Sequence, residues 1–244
     1  MTTDELLAYI FDGKPHPLSQ PMAEWFSSSR SFVTFTNTFR DKIRKKIRVT
    51  QSLESTLDLR LELETAYLLL QEKALHVVYE PLQAGRTRSP DFAVSYTTSI
   101  TFMVEVTRLR AEQKALADEP TQAQAPGLQV DERLADAICS KLGQLQPQYS
   151  NILLVGVDDF HLSEGDLRAT MLHLQHRAEQ GDAAFLQRYR FRSRGDFFQQ
   201  FLRLSEVFVR ATDSPGSLIV WVNPQAKSPL PGKVRTVLYR SHTV

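Results

Sequence analysis

The 244-residue chain has a single cysteine, Cys139. One thiol cannot build an internal disulfide framework, and it lacks the paired spacing of a zinc or iron–sulfur site, so a reducing, cytoplasmic setting is expected. An excess of either charge is lacking too. The 29 basic and 28 acidic side chains leave a formal net charge of +1, so no overall field steers the molecule toward nucleic acid or an anionic membrane, and any basic site must be local. Long apolar runs are absent. No window approaches the length of a membrane span, and the opening MTTDELLAYIFDGKPHPL carries acids and early prolines where a secretory leader needs a basic end and an apolar core. No membrane partner is expected. There is also no GxSxG elbow, no phosphate loop ending in GK[ST] and no GxGxxG, which leaves triad-hydrolase, nucleotide-triphosphatase and dinucleotide chemistry without support. His173 and His176 lie one helical turn apart, but no third ligand or HExxH pattern accompanies them.

What is present is enough apolar content, 42%, to bury a proper core as one domain over residues 1–244. Residues 1–52 read as helical pieces broken by Pro15, Pro17 and Pro21, ending in the basic amphipathic run FRDKIRKKIRV, where Ile43 and Ile47 are i, i+4 neighbours. Residues 53–75 contain no Gly or Pro and carry leucines at helical spacing, which predicts a long helix. Short β-branched and aromatic runs at 76–80, 92–96 and 99–106 then predict three strands in meander order. A Gln- and Ala-rich stretch at 111–130 reads as an exposed connection, a helix is expected over 131–146, and NILLVGV at 151–157 has the unbroken apolar run of a strand buried on both faces. Residues 158–216 read as a helical insertion, and 217–244 as the last core strand and tail. The order predicts an α/β fold with a central mixed sheet of about five strands flanked by helices, with further helices at both ends.

Three acids draw attention within this order. Leu57, Leu61, Leu68 and Leu75 suggest an apolar stripe in which Glu64 fills a core position, whereas Glu62 falls beside Asp58 and Lys73 and looks solvated. A carboxylate in an apolar stripe must be paired, protonated or bound to a cation. Asp91 precedes the second strand and Glu105 lies near the end of the third; if those strands are antiparallel neighbours, the two acids converge. Each also has a plainer reading, as a core-edge carboxylate met by an arginine, or as strand-capping and salt-bridging surface acids. Oxygen ligands of this kind suit Mg²⁺ or Mn²⁺.

An acid on a helix, Pro90-Asp91 before an apolar strand and Glu105-Val106-Thr107 on the next resemble the PD-(D/E)xK superfamily of restriction-endonuclease-like nucleases. The resemblance covers about residues 53–157. It implies a metal-dependent nuclease, acting on DNA rather than RNA, with Asp91, Glu105 and Glu64 at the metal and leaving room for a homodimer. The third triplet position departs from the pattern, because the superfamily carries lysine there and Thr107 cannot hold a positive charge. Lys141, one turn from Gln144 on the helix after the hairpin, is the candidate substitute, although nothing local sets it apart from a solvated helical lysine; Arg108 falls on the opposite face of its strand. Lys45 and Lys46 in the first basic run, and Arg188, Arg190 and Arg192 in QRYRFRSRG, are candidate phosphate contacts, the latter interleaved with aromatics that could stack on bases or pack inward. Asp158 and Asp159 follow the NILLVGV strand at its carboxyl end and rank below the three acids. The resemblance also admits a catalytically inactive binding or structural module on the same fold, and an unrelated α/β domain whose acids only cap strands remains a further reading.

Overall fold

The computed structural model describes residues 1–81, 89–109, 132–158, 162–212 and 217–243; the connection at 111–130 and Asp159 lie outside them. Five helices open the chain: α1 (Thr3–Ile10), α2 (Ser19–Ser28), α3 (Arg30–Thr38), α4 (Arg40–Val49) and α5 (Leu53–Leu69). Three strands follow, β1 (Leu75–Tyr79), β2 (Phe92–Tyr96) and β3 (Ile100–Leu109), then α6 (Glu132–Leu142) and β4 (Ser150–Val157). The remainder comprises α7 (Glu164–Glu179), α8 (Ala183–Arg188), α9 (Arg194–Phe201), β5 (Leu204–Ala211), β6 (Leu218–Val222) and α10 (Gly232–Thr243). The fold is α/β, with a six-stranded mixed sheet in the order β1-β2-β3-β4-β5-β6. Antiparallel pairs join β1 to β2, β2 to β3 and β5 to β6, and β4 runs parallel to β5. No described helix is long and apolar enough to cross a membrane.

The sheet holds one strand more than the sequence predicts. Residues 204–211, LSEVFVRA, form β5 and not part of a helical stretch; all eight are buried. Glu206 and Arg210 disguise it, because charged residues four places apart in a run usually face water, whereas here both lie in the interior. The long helix is also shorter than its pattern suggests. It stops at Leu69, and Leu75 begins β1 instead of completing a helical stripe. Leu57, Leu59, Leu61 and Leu63 recur at every second position, so α5 carries leucine on all sides and periodicity does not fix which face is core. The observed buried set keeps Leu61 and Leu68 of the predicted stripe and adds Leu59, Leu63, Ala66 and Leu69, so the buried surface is wider than one stripe and reaches the side that carries Glu62.

The chain divides into two compact units that part at Thr107 and Arg108, within β3: residues 1–107 with 231–244, and residues 108–230. In the first, α1 starts at a capping box in which the Glu5 N–H donates to Thr2 Oγ1 (3.2 Å) and the Thr2 N–H to Glu5 Oε2 (2.7 Å). Aromatic rings join the helices to the hairpin: Trp25 stacks on Tyr67 with centroids 5.6 Å apart, and Phe35, Tyr79 and Phe92 follow in edge and tilted contacts. The Thr-Thr turn between β2 and β3 places Thr97 in the left-handed region, φ 52°.

In the second unit, Leu134, Ile138 and Leu142 of α6, Met171 and Leu174 of α7 and Phe197 and Phe201 of α9 pack on Leu153 and Val155 of β4 and Val207 and Val209 of β5. Trp221 of β6 meets Phe201 at 5.9 Å. Asn151 at the head of β4 fastens the loops beneath it. Its Nδ2 donates to the carbonyls of Gln146, Tyr149 and Arg203 (2.8, 2.8 and 2.9 Å), and its Oδ1 accepts the Gln146 N–H at 2.9 Å.

Candidate functional site

In the first unit a charged cluster forms where α4, α5, the end of β1 and the residue before β2 meet. Lys46 of α4 places its Nζ 2.5 Å from Glu62 Oε1 and 2.8 Å from Glu80 Oε1. One turn earlier, Lys42 Nζ donates to the carbonyls of Tyr79 (3.0 Å) and Glu80 (2.7 Å). The basic amphipathic character of α4 explains both contacts, since Ile43 and Ile47 are buried and the lysines flanking that stripe reach along its edge. The Glu80 N–H donates to the Asp91 carbonyl at 2.8 Å, and Asp91 Oδ2 accepts the Val106 N–H at 2.8 Å. Asp91 is thus tied through its backbone to β1 and through its side chain to β3.

The electrostatics follow from burial. Loss of solvent, and then the nearby Asp91 charge, push the Glu62 carboxyl above its ordinary range even though Lys46 pulls it down. Burial works against the Lys46 ammonium as well, but the Glu62 and Glu80 carboxylates outweigh it and hold its pKa above the usual lysine value. Tyr79 sits fully buried beneath them, with the Lys46 ammonium 4.9 Å from its ring centroid. Among the described residues its hydroxyl has no partner in normal hydrogen-bond geometry, and burial together with the nearby Glu62 carboxylate pushes its pKa far up.

The sequence-predicted acids divide. Asp91 lies in the cluster. Glu105 is buried on β3, and continuing the Phe92–Val104 register by one residue sets it across from Asp91. Glu64 is displaced by Glu62: two residues apart on α5, they lie about 200° apart around the axis, so the face that meets Lys46 is not the face of Glu64. Glu64 is half-buried with contacts of its own. Lys141 occupies the last turn of α6 in the second unit, half-buried and likewise engaged, and the cation found beside Glu62 is Lys46 instead. Arg108 is buried in an ion pair with Asp158, whose other carboxylate oxygen accepts from Thr212 Oγ1 at 2.7 Å. Among the described residues, no three His, Cys, Asp or Glu side chains gather as a metal-holding group.

The candidate phosphate contacts are largely committed to partners. Lys46 is held by two carboxylates, and Arg44 and Arg48 both clamp Asp12, with Arg48 Nε 2.8 Å from Oδ2. Lys45 is exposed. Arg188 donates to both oxygens of Asp136 at 2.7 Å, and Arg192 lies 3.6 Å from Asp196. Arg190, exposed at φ 59°, turns the chain between α8 and α9, so the segment is a helix–turn–helix and not an extended strip. Its aromatics point inward: Phe191 packs against Phe185 and Phe197, and Tyr189 donates to Asp136 at 2.5 Å. These rings are unavailable for stacking on bases.

The sequence reading took Glu62 for a solvated acid, which its burial against Lys46 corrects, placed Lys42 only within the basic run, and did not single out Glu80 or Tyr79. Glu62 had a signal, because it lies three residues after Leu59 and four before Ala66, inside the stripe that is buried. Glu80 and Lys42 had none, since a pairing between residues 38 positions apart leaves no local trace. No family model matches the chain, and no curated protein or solved structure matches it.

Proposed function

We propose that the chain is a metal-dependent phosphodiesterase acting on nucleic acid, DNA in preference to RNA, in the cytoplasm. The observation that carries this reading is the largely buried Lys46–Glu62–Glu80 cluster beside Asp91. Lys46 bonds Glu62 and Glu80, the Asp91 charge acts on Glu62 from nearby, and burial first and that charge second push the Glu62 carboxyl up. A group in that condition favours a proton or a further cation. The order α5-β1-β2-β3-α6-β4, with Asp91 before β2 and Glu105 near the end of β3, supports the same reading.

Asp91 and Glu105 suit Mg²⁺ or Mn²⁺, because Mg²⁺ is commonly held by one or two carboxylates together with water and substrate phosphate. Such an ion supplies charge to a phosphoryl oxygen and lowers the pKa of its water. The Val106 N–H donates to Asp91 Oδ2 and so orients the carboxylate. Lys46 keeps its proton, so in this reading it serves as a charge stabiliser and not as a base, the role that Thr107 cannot fill. Glu62, with its pKa raised, is the group suited to accept and return a proton.

A second reading, a non-catalytic module on the same fold, is favoured by two observations: Glu62 already has a cation in Lys46, and the described residues contain no three-ligand group. Titration of Mg²⁺ and Mn²⁺ into wild type and Asp91→Ala, with cleavage of single- and double-stranded DNA scored in the same buffers, separates the two. Metal binding and cleavage lost together in the variant support the enzyme; a wild type that neither binds nor cleaves leaves the module. Lys45 and Arg190, both exposed, and a homodimer are routes by which a nearly neutral chain would engage nucleic acid.

A further inference from the structure

We propose that Lys42 is a positioning residue for Asp91, acting through Glu80, which it holds in a left-handed conformation at the end of β1. Its consequence for metal binding rests on the nuclease reading above. Glu80 has φ 42°, a region that non-glycine residues seldom occupy, and the following Pro81 restricts it further. Such a conformation persists only where the surroundings over-determine it, and it marks places where geometry serves a site.

Four contacts supply that determination. Lys42 Nζ bridges the carbonyls of Tyr79 and Glu80 at 3.0 and 2.7 Å, Lys46 Nζ holds the Glu80 carboxylate at 2.8 Å, and the Glu80 N–H donates to the Asp91 carbonyl at 2.8 Å. Lys42 and Lys46 are i, i+4 on α4, so one helix face grips both the backbone and the side chain of Glu80. The last link reaches Asp91, whose carboxylate is held on its other side by the Val106 N–H. A lysine that spends its ammonium on two carbonyl groups contributes no ion pair there; it fixes where the chain turns, and through that turn where Asp91 stands. Partners of this kind, which orient a ligand without touching the metal, commonly change metal affinity by about 10–100-fold when removed.

The test uses the full isotopically labelled chain as wild type, Lys42→Met and Lys42→Arg. Amide hydrogen exchange is followed at Glu80, Val106 and the remaining amides of β2 and β3, and Mn²⁺ affinity is measured by calorimetry on the same samples. In Lys42→Met the Glu80 and Val106 amides should exchange about tenfold faster while the rest of the hairpin is unchanged, and Mn²⁺ binding should weaken about tenfold. Lys42→Arg, which keeps the donors, should recover both. Unchanged protection at Glu80 and Val106, or a loss spread evenly over the hairpin, overturns the proposal, as does local loss with Mn²⁺ affinity intact in a wild type that binds the ion. A wild type that binds no Mn²⁺ overturns the nuclease reading, and the exchange pattern then decides by itself whether Lys42 holds Asp91.

Discussion

Lys46 and Glu62 depend on each other more than exposed ion pairs do, because both are largely withdrawn from water. Removing one partner of a buried pair leaves the other charge unmet, so Lys46→Met should cost about 2–3 kcal/mol in urea denaturation at pH 8. The cost should shrink toward pH 5: without Lys46 the Glu62 carboxyl rises further, the folded state binds its proton more readily than the unfolded chain does, and stability therefore falls as pH rises. Lys46→Met combined with Glu62→Gln should recover part of the loss, and a double-mutant cycle measures the coupling. Tyr79→Phe tests the same place differently. Its hydroxyl is buried without a normal hydrogen bond, so the variant should match wild type or gain about 1 kcal/mol.

Only part of this chemistry could be read from residues alone. Asp91 and Glu105 announce themselves because strand order and register bring a hairpin's first and last residues together. Glu62 was passed over for Glu64 because α5 is leucine-rich all round, so the core phase had to come from what packs against it.

At the scale of elements, α4 is joined to the turn after α1 by Asp12, which accepts from Arg44 and Arg48, and to α1 itself by Arg44, whose guanidinium lies 4.2 Å from the Tyr9 ring. Hydrogen bonds from Arg48 and Arg44 hold the Asp12 carboxyl well below its ordinary value of 3.8. A depressed carboxylate contributes stability that is complete above its unfolded pKa and lost as pH falls below it. Asp12→Asn should therefore show a flatter loss of stability between pH 4 and the acid limb than wild type does, with little difference in shape above. The Asn151 clamp under β4 should be far costlier to break: Asn151→Ala strands three carbonyls and an N–H, an expected loss of about 2–4 kcal/mol by urea denaturation.

Elements with one apolar face, such as α4 and α6, were legible to within a few residues. β5 was not, because Glu206 and Arg210 carry the polarity of a surface element into a position covered on both sides. The aromatic-basic segment at 188–194 failed for the opposite reason, since alternation in sequence became inside–outside alternation around a turn, with the rings taken by the core.

For the whole molecule, Cys139 offers a measure of global opening. It is buried on α6, and burial together with the nearby Asp136 charge pushes its thiol well above the ordinary cysteine value. An aromatic disulfide reagent should label native protein only as fast as the core opens, and urea should accelerate labelling in step with unfolding; prompt labelling of the native state would contradict the packing around α6.

The two tryptophans give a finer view. Trp25, stacked on Tyr67, belongs to the first unit, and Trp221, beside Phe201, to the second. Each single-tryptophan variant, Trp25→Phe or Trp221→Phe, is therefore a one-colour fluorescent reporter for one unit, and stopped-flow traces from the pair will time the assembly of each without any added dye.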